Sequence, residues 1–119
     1  MKPKTKKQLK NILEFAKRTR DRTHKITFED FMSDELIQDA VLYCLGQIGE
    51  TASNISDEEQ EKYPELFWRQ MIGLRNRIFH DYEEIDMKRV FDITQEPISQ
   101  LVQMLESLLD VKAGGNGNG

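Results

Sequence analysis

The sequence has few of the residues that build metal centres or disulfide frameworks. Its 119 residues include one cysteine, Cys44, and two histidines, His24 and His80. A single cysteine excludes an intramolecular disulfide and any multi-cysteine zinc site, and two histidines are too few for a histidine-rich metal centre. We therefore expect a protein without a metal or another cofactor, in which Cys44 is a buried apolar residue rather than a nucleophile.

Long apolar runs are also missing. No stretch approaches the roughly 20 apolar residues of a membrane-spanning helix. The basic first ten residues are not followed by the apolar segment of a secretory signal. The sequence therefore predicts a cytoplasmic protein without a membrane segment, and its length suits one domain.

Prolines are scarce, and no segment shows the alternating pattern of a β-strand. Apolar residues instead recur at steps of three and four, which is typical of amphipathic helices. This spacing predicts helices over about residues 4–23, 34–54, 65–80 and 87–111, a short turn over 28–32 and an acidic loop over 55–63. Thr27 can cap the short turn, Ser33 or Asp34 the second long helix and Asp86 the last one. Pro97 should kink or divide the last helix because it removes a backbone donor.

These elements predict an all-α antiparallel bundle of four to five helices over residues 1–112. The remaining residues, 113–119, should form a flexible tail of glycine and asparagine. A core of this size is small for a stable monomer, so a leftover apolar face would favour dimerisation.

The charges are unevenly distributed along the chain. Residues 1–25 carry ten Lys and Arg against two acids, whereas residues 26–119 carry seven against nineteen. This asymmetry leaves room for a polyanion at the N-terminal end, although a solvated helix face with a basic tail is the simpler explanation.

The most informative stretch is FWRQMIGLRNRIFHDY, residues 67–82. On a helix, four of its residues form one narrow polar stripe opposite the apolar face: Arg69, Gly73, Asn76 and His80. Arg75 lies about 140° around an ideal helix from His80. A long arginine side chain, a break near His80 or a second copy of the chain could bring the two groups together.

Arginine and histidine together suit the cleavage of RNA without a metal. An imidazole titrates near neutrality and can accept or return the proton of a 2′-hydroxyl. A guanidinium can hold a phosphate through two N–H groups and stabilise the charge of the transition state. The same residues also fit a simple helix end, with His80 on the last carbonyls, Arg75 paired with an acid and Asn76 solvated. Glu50 is a further candidate for the site, although a solvated acid is its simpler interpretation.

Residues 67–82 resemble the signature of the HepT-like toxins of the HEPN superfamily. That signature is arginine, a polar residue, three further positions, histidine, one residue and tyrosine. Other pieces recur at corresponding places: Phe28–Phe31, Gln38–Val41, Ile48–Glu50 and Tyr63–Pro64. The resemblance covers about residues 8–110.

The resemblance implies the HEPN fold and a homodimer whose signature helices meet at the interface. It also implies a metal-independent endoribonuclease, with Arg75 and His80 as the catalytic pair and Asn76 as the intervening polar residue. RNA is then the substrate, and the dimer gives the separated arginine and histidine a way to meet.

The resemblance further implies a toxin–antitoxin pair of the type VII kind. The usual partner is a minimal nucleotidyltransferase of the MntA type, which transfers AMP from ATP to the motif tyrosine, here Tyr82. An alternative is a non-catalytic dimeric module that docks such a nucleotidyltransferase. As neighbours of the signature residues, Arg69, Gly73 and Arg77 are candidates for contact with RNA or with the second copy.

Overall fold

The chain is helical throughout the part that the structure describes. The computed structural model describes residues 1–80 and 84–110. Its helices are α1 (Pro3–Thr23), α2 (Phe28–Met32), α3 (Glu35–Ser53), α4 (Asp57–Glu61), α5 (Trp68–His80), α6 (Met87–Thr94) and α7 (Glu96–Leu108). No strand occurs in these ranges, which confirms the all-α fold class. Because α2 and α4 have only five residues each, the described bundle consists of the five longer helices.

Helix α3 lies at the centre of this bundle. It packs against α1 and against α5, while α7 packs against α1 and α6. The innermost apolar residues of the core come from α1, α2, α3 and α7: Leu9, Ile12, Ala16, Phe31, Val41, Leu45, Ile48, Ala52 and Leu105. Cys44 is also buried, as expected, and this burial raises the pKa of its thiol.

The helix starts follow the capping residues in the sequence. Thr27 and Asp30 exchange side-chain and backbone hydrogen bonds, so a capping box opens α2. The carboxylates of Asp34 and Asp86 accept backbone N–H groups at the starts of α3 and α6. Thr27 and Asp86 are thereby confirmed as caps, and of the two candidates for α3 it is Asp34, not Ser33, that caps the helix.

Residues 55–63 differ from the predicted loop, because they contain the short helix α4. Ser56 caps it by accepting a hydrogen bond from the N–H of Glu59 at 3.2 Å. The three acids of its first turn are favoured there by the helix dipole. Glu59 is buried and accepts hydrogen bonds from Thr5 at 2.9 Å and Lys62 at 2.5 Å. This acid therefore ties α4 to the start of α1 and is not a solvated loop residue.

Helix α5 begins at Trp68, three residues later than the predicted start at 65. The preceding residues form a turn, in which the N–H of Leu66 donates to the carbonyl of Tyr63 at 3.2 Å. The indole Nε1 of Trp68 donates to the same carbonyl at 2.8 Å. The turn buries Leu66 in the core, so the residues before Trp68 form this turn and not the first turn of α5.

The last predicted helix is divided, as Pro97 indicated. Gln95 leaves helical geometry with ψ −114°, and Pro97 lies in the first turn of α7. Helix α7 ends at Leu108, three residues before the predicted end. The predicted tail, 113–119, lies outside the described residues. Within the two described ranges, no helix combines the length and apolar character needed to cross a bilayer.

Candidate active site

Helix α5 carries most of the predicted site. It continues without a break from Trp68 to His80, its last residue. The angular separation of about 140° between Arg75 and His80 therefore applies to their backbone positions. A break within the described helix is excluded as the way to bring them together. Tyr82 lies outside the described residues.

Arg75 points toward α3 and not along the polar stripe. Its Nε donates to Oε2 of Glu50, near the end of α3, in an ion pair between two half-buried side chains. Its Nη1 donates to Oδ1 of Asn76 at 3.3 Å. The side chains of Arg75 and Asn76, two of the predicted site residues, are thus in contact. Glu50 is paired with Arg75 and is not simply a solvated acid.

Gly49 explains how α3 comes so close to Arg75. A Cβ atom added at Gly49 would lie 2.6 Å from the carbonyl oxygen of Met71 and 2.7 Å from both the backbone nitrogen and the Cβ of Arg75. Real Cβ atoms do not approach backbone atoms so closely, so only glycine fits. The two helix backbones are therefore in direct contact at the point from which Glu50 and Arg75 extend.

The opposite side of α5 is open. A Cβ atom added at Gly73 would meet nothing within 4 Å. Beside Gly73 lies a groove of about 550 Å³ between α5 and the α6–α7 pair. Its surface is mainly apolar, with contributions from Phe67, Met71, Leu74, Ile93, Ile98 and Leu101. We call this space the α5–α7 groove.

The charged residues around the α5–α7 groove are arginines. Arg69, Arg77 and Arg89 line it, and no acid does so among the described residues. A smaller recess of about 200 Å³ shares Arg77 and Arg89 with the groove and also contains Glu84 and Asp86. Positive charge is therefore concentrated at the groove, although residues 26–119 as a whole carry an excess of acids.

The predicted site residues fall into two groups. Arg69, Gly73 and Arg77 line the α5–α7 groove, whereas Arg75 lies on the α3 side. By helix geometry, the backbone position of His80 is about 20° from that of Gly73 around α5, which places it on the groove side. Within one copy of the chain, the arginine and the histidine of the signature thus belong to different faces of the same helix.

Sequence reasoning missed one residue and one contact near this site. Arg89 comes from α6, and no spacing in the sequence links it to α5. Glu50 was a candidate, but its pairing with Arg75 joins positions 25 residues apart. The glycine directly before it was the available signal, because a glycine inside a helix often marks a close approach of backbones.

Comparison with known proteins identifies the family. A family model described as "Ribonuclease HepT-like" matches residues 12–108. The chain belongs to this family. The HepT-like resemblance of residues 67–82 is thereby confirmed, together with the helical fold that it implied. A comparison with solved structures finds no match.

Several relatives of this chain are similar to it in length and carry names that describe them as ribonucleases. A protein of Thermococcus cleftensis, which carries the name ribonuclease HepT, is 33% identical over 108 residues, 91% of this chain and 98% of the relative. Two proteins of Methanocaldococcus jannaschii carry names that describe them as RNases. One is 32% identical over 85% of this chain and 84% of its own length, and the other is 33% identical over 82% and 90%.

Proposed function

We propose that the protein is a metal-independent endoribonuclease that uses Arg75 and His80. Membership of the HepT-like ribonuclease family supports the reaction class. The observation that carries the residue assignment is the anchored Arg75, whose guanidinium is held by Glu50 and Asn76 next to the polar stripe that ends at His80.

In the proposed mechanism, the imidazole of His80 accepts the proton of a 2′-hydroxyl. The oxygen attacks the adjacent phosphorus, and the bond from phosphorus to the 5′-oxygen of the next nucleotide breaks. Arg75 stabilises the negative charge that develops on the phosphoryl oxygens. The 5′-oxygen takes up the proton that His80 accepted, so the products are a 2′,3′-cyclic phosphate and a 5′-hydroxyl and the imidazole returns to its neutral form.

We further propose that the complete site forms between two copies of the chain. The backbone positions of Arg75 and His80 lie on different faces of an unbroken helix, which favours a site that a second copy completes. The α5–α7 groove is a mainly apolar surface on the His80 side of α5, and a second copy would pack against it. In this dimer, Arg75 of one copy and His80 of the other would contribute to the same site.

As its biological role we propose a cytoplasmic toxin of a toxin–antitoxin pair. The partner would be a minimal nucleotidyltransferase of the MntA type that transfers AMP from ATP to Tyr82. The added AMP would carry negative charge two residues from His80 and would repel the RNA phosphates. The alternative, a non-catalytic dimer that docks the nucleotidyltransferase, predicts the same partner without RNA cleavage.

The test is cleavage of total RNA by the purified protein. We expect His80→Ala and Arg75→Ala to lower the cleavage rate by about 100-fold or more, because a general base contributes factors of this size. The matched controls are His24→Ala and Arg22→Ala, which alter exposed residues at the end of α1. The controls should cleave like the unchanged protein, and the cleaved RNA should end in a 2′,3′-cyclic phosphate.

Two results would contradict the proposal. Cleavage retained by His80→Ala would remove this residue from the mechanism. Intact RNA after incubation with the unchanged protein, together with a stable complex with the nucleotidyltransferase, would favour the non-catalytic alternative. The modification is tested separately by mass spectrometry after co-expression, where AMP must map to the peptide containing Tyr82 and disappear in Tyr82→Phe.

A further inference from the structure

The ion pair between Glu50 and Arg75 places an acid directly beside the arginine that is proposed to bind the RNA phosphate. An acid beside a phosphate-binding arginine repels the phosphate and neutralises part of the attraction. An acid at this position is therefore expected to weaken RNA binding unless it has another effect on the arginine. The contacts of the guanidinium indicate what that effect is.

The hydrogen bonds of Arg75 leave one edge of its guanidinium available. A guanidinium has five N–H donors and can bind a phosphate through either of two edges, Nε with Nη2 or Nη1 with Nη2. Nε is occupied by Glu50, and one N–H of Nη1 is directed at Asn76. The Nε edge is therefore closed to a phosphate, while no residue that the structure describes accepts from Nη2 or from the second hydrogen of Nη1.

The position of this pair is set by the helix backbones. Exposed ion pairs contribute little because two long side chains must be ordered to form them. Here Gly49 brings the backbone of α3 against Arg75, so the two side chains start from fixed points. Both remain only partly exposed, at 35% and 40% of their side-chain surfaces. The orientation of the guanidinium is thus determined before RNA arrives.

We propose that Glu50 is a positioning residue, which holds Arg75 through Nε so that the Nη1–Nη2 edge faces the scissile phosphate. The proposal rests on the ribonuclease function proposed above. Pre-orientation acts on the transition state, because stabilisation of the developing charge depends on donors that are already aimed at it. Glu50 then raises kcat at some expense in RNA affinity.

The experiment compares kcat and KM for RNA cleavage in Glu50→Gln, Glu50→Asp and the unchanged protein. Glu50→Gln keeps the size of the side chain and removes its charge, and we expect kcat to fall about 10-fold or more while KM stays equal or decreases. Glu50→Asp keeps the charge but is one methylene shorter, and the fixed backbones prevent it from following. We expect kcat to fall in this variant as well.

The matched control is Glu14→Gln. It removes the same type of contact, Arg18 Nε to Glu14 Oε1 at 3.2 Å, from the exposed surface of α1. This variant should leave kcat and KM unchanged. Thermal unfolding of all variants shows whether a loss of activity follows from a loss of folded protein, and the comparison is made at a temperature where each is folded.

A second measurement observes the pair without RNA cleavage. In ¹⁵N NMR spectra, the Nε–H resonance of Arg75, assigned by its loss in Arg75→Lys, should be protected from exchange with water. In Glu50→Gln it should shift and exchange faster. Unchanged exchange, or a kcat in Glu50→Gln equal to that of the unchanged protein, overturns the role of Glu50. If the unchanged protein cleaves no RNA, the ribonuclease proposal itself fails, and the NMR result still decides whether the pair exists.

Discussion

The two sides of α5 differ in how they meet the rest of the molecule. On one side, Gly49 places the backbone of α3 within contact of Met71 and Arg75. On the other side, a Cβ atom added at Gly73 would meet no described residue within 4 Å, and Gly73 faces the α5–α7 groove. Glycine therefore permits close packing of two helices at position 49 and leaves open space at position 73. The closed side fixes the arginine, and the open side leaves room for another molecule.

This difference has a chemical consequence. A transition state is stabilised best by groups that are already in place, which requires a rigid support. A substrate or a second copy needs a surface that the chain itself does not cover. Helix α5 meets both requirements, because one side of it packs against Gly49 of α3 and the other side, at its own Gly73, faces the α5–α7 groove.

The largest effect on stability is expected for Gly49→Ala. The added methyl group would overlap backbone atoms of α5, so we expect the free energy of unfolding to fall by about 1–3 kcal/mol. The matched control is Gly73→Ala, which adds the same group to the open side. There, the better helix propensity of alanine should raise the free energy of unfolding by up to about 1 kcal/mol.

Urea unfolding at a low protein concentration measures both variants. A lower free energy of unfolding in Gly49→Ala and a higher one in Gly73→Ala would support the contrast between the closed and the open side. Equal stabilisation by both would show that α3 does not touch α5 at Gly49.

A bulky residue on the open side should act on association rather than on folding. Gly73→Trp has space for its side chain in the described structure, so the monomer should remain folded. The indole would occupy the groove that a second copy needs, and the dimer dissociation constant should rise about 10-fold or more, or about 1.4 kcal/mol. Analytical ultracentrifugation measures the constant. An unchanged constant would place the dimer contact away from the α5–α7 groove.

The contact between α1 and α4 is expected to make a smaller contribution to stability, and this contribution should depend on pH. Hydrogen bonds from Lys62 and Thr5 lower the pKa of Glu59. Because the folded state favours the charged carboxylate, this contact stabilises the protein at neutral pH, and the stabilisation is lost as the pH falls through the lowered pKa. Thr5→Val should lower the Tm by a few degrees at pH 7 and by less under acid conditions.

Thermal unfolding of Thr5→Val at several pH values measures this difference. The contact between α3 and α5 at Gly49 is formed by backbone atoms and the Cβ of Arg75, none of which titrates, so the Tm difference caused by Gly49→Ala should not vary with pH. A Thr5→Val difference that is also independent of pH would contradict the assignment to Glu59.

The sequence predicts the parts of this fold that depend on local patterns. Apolar spacing located the long helices, and the caps at Thr27, Asp34 and Asp86 marked their starts. Pro97 located the division between α6 and α7. These features depend on residues within one or two turns of each other, so the chain itself displays them.

Contacts between distant residues were not predictable in the same way. The helix α4 depends on Ser56 as a cap and on the burial of Glu59 against Thr5, 54 residues earlier in the chain. The late start of α5 depends on the burial of Leu66. The pair of Glu50 with Arg75 depends on Gly49 and therefore on how two helices meet. Only the packed structure determines such contacts.

The most direct test of the composite site is to mix two inactive variants. Arg75→Ala and His80→Ala each lack one of the two groups, and a mixed dimer keeps one site that contains both if the site forms between copies. Random exchange of equal amounts should then restore about one quarter of the unchanged protein's RNA cleavage, since half of the dimers are mixed and each has one of two sites intact. If Arg75 and His80 act within a single copy, no mixture contains an intact site. The absence of any restored cleavage, with mixed dimers confirmed by mass spectrometry, would contradict the account.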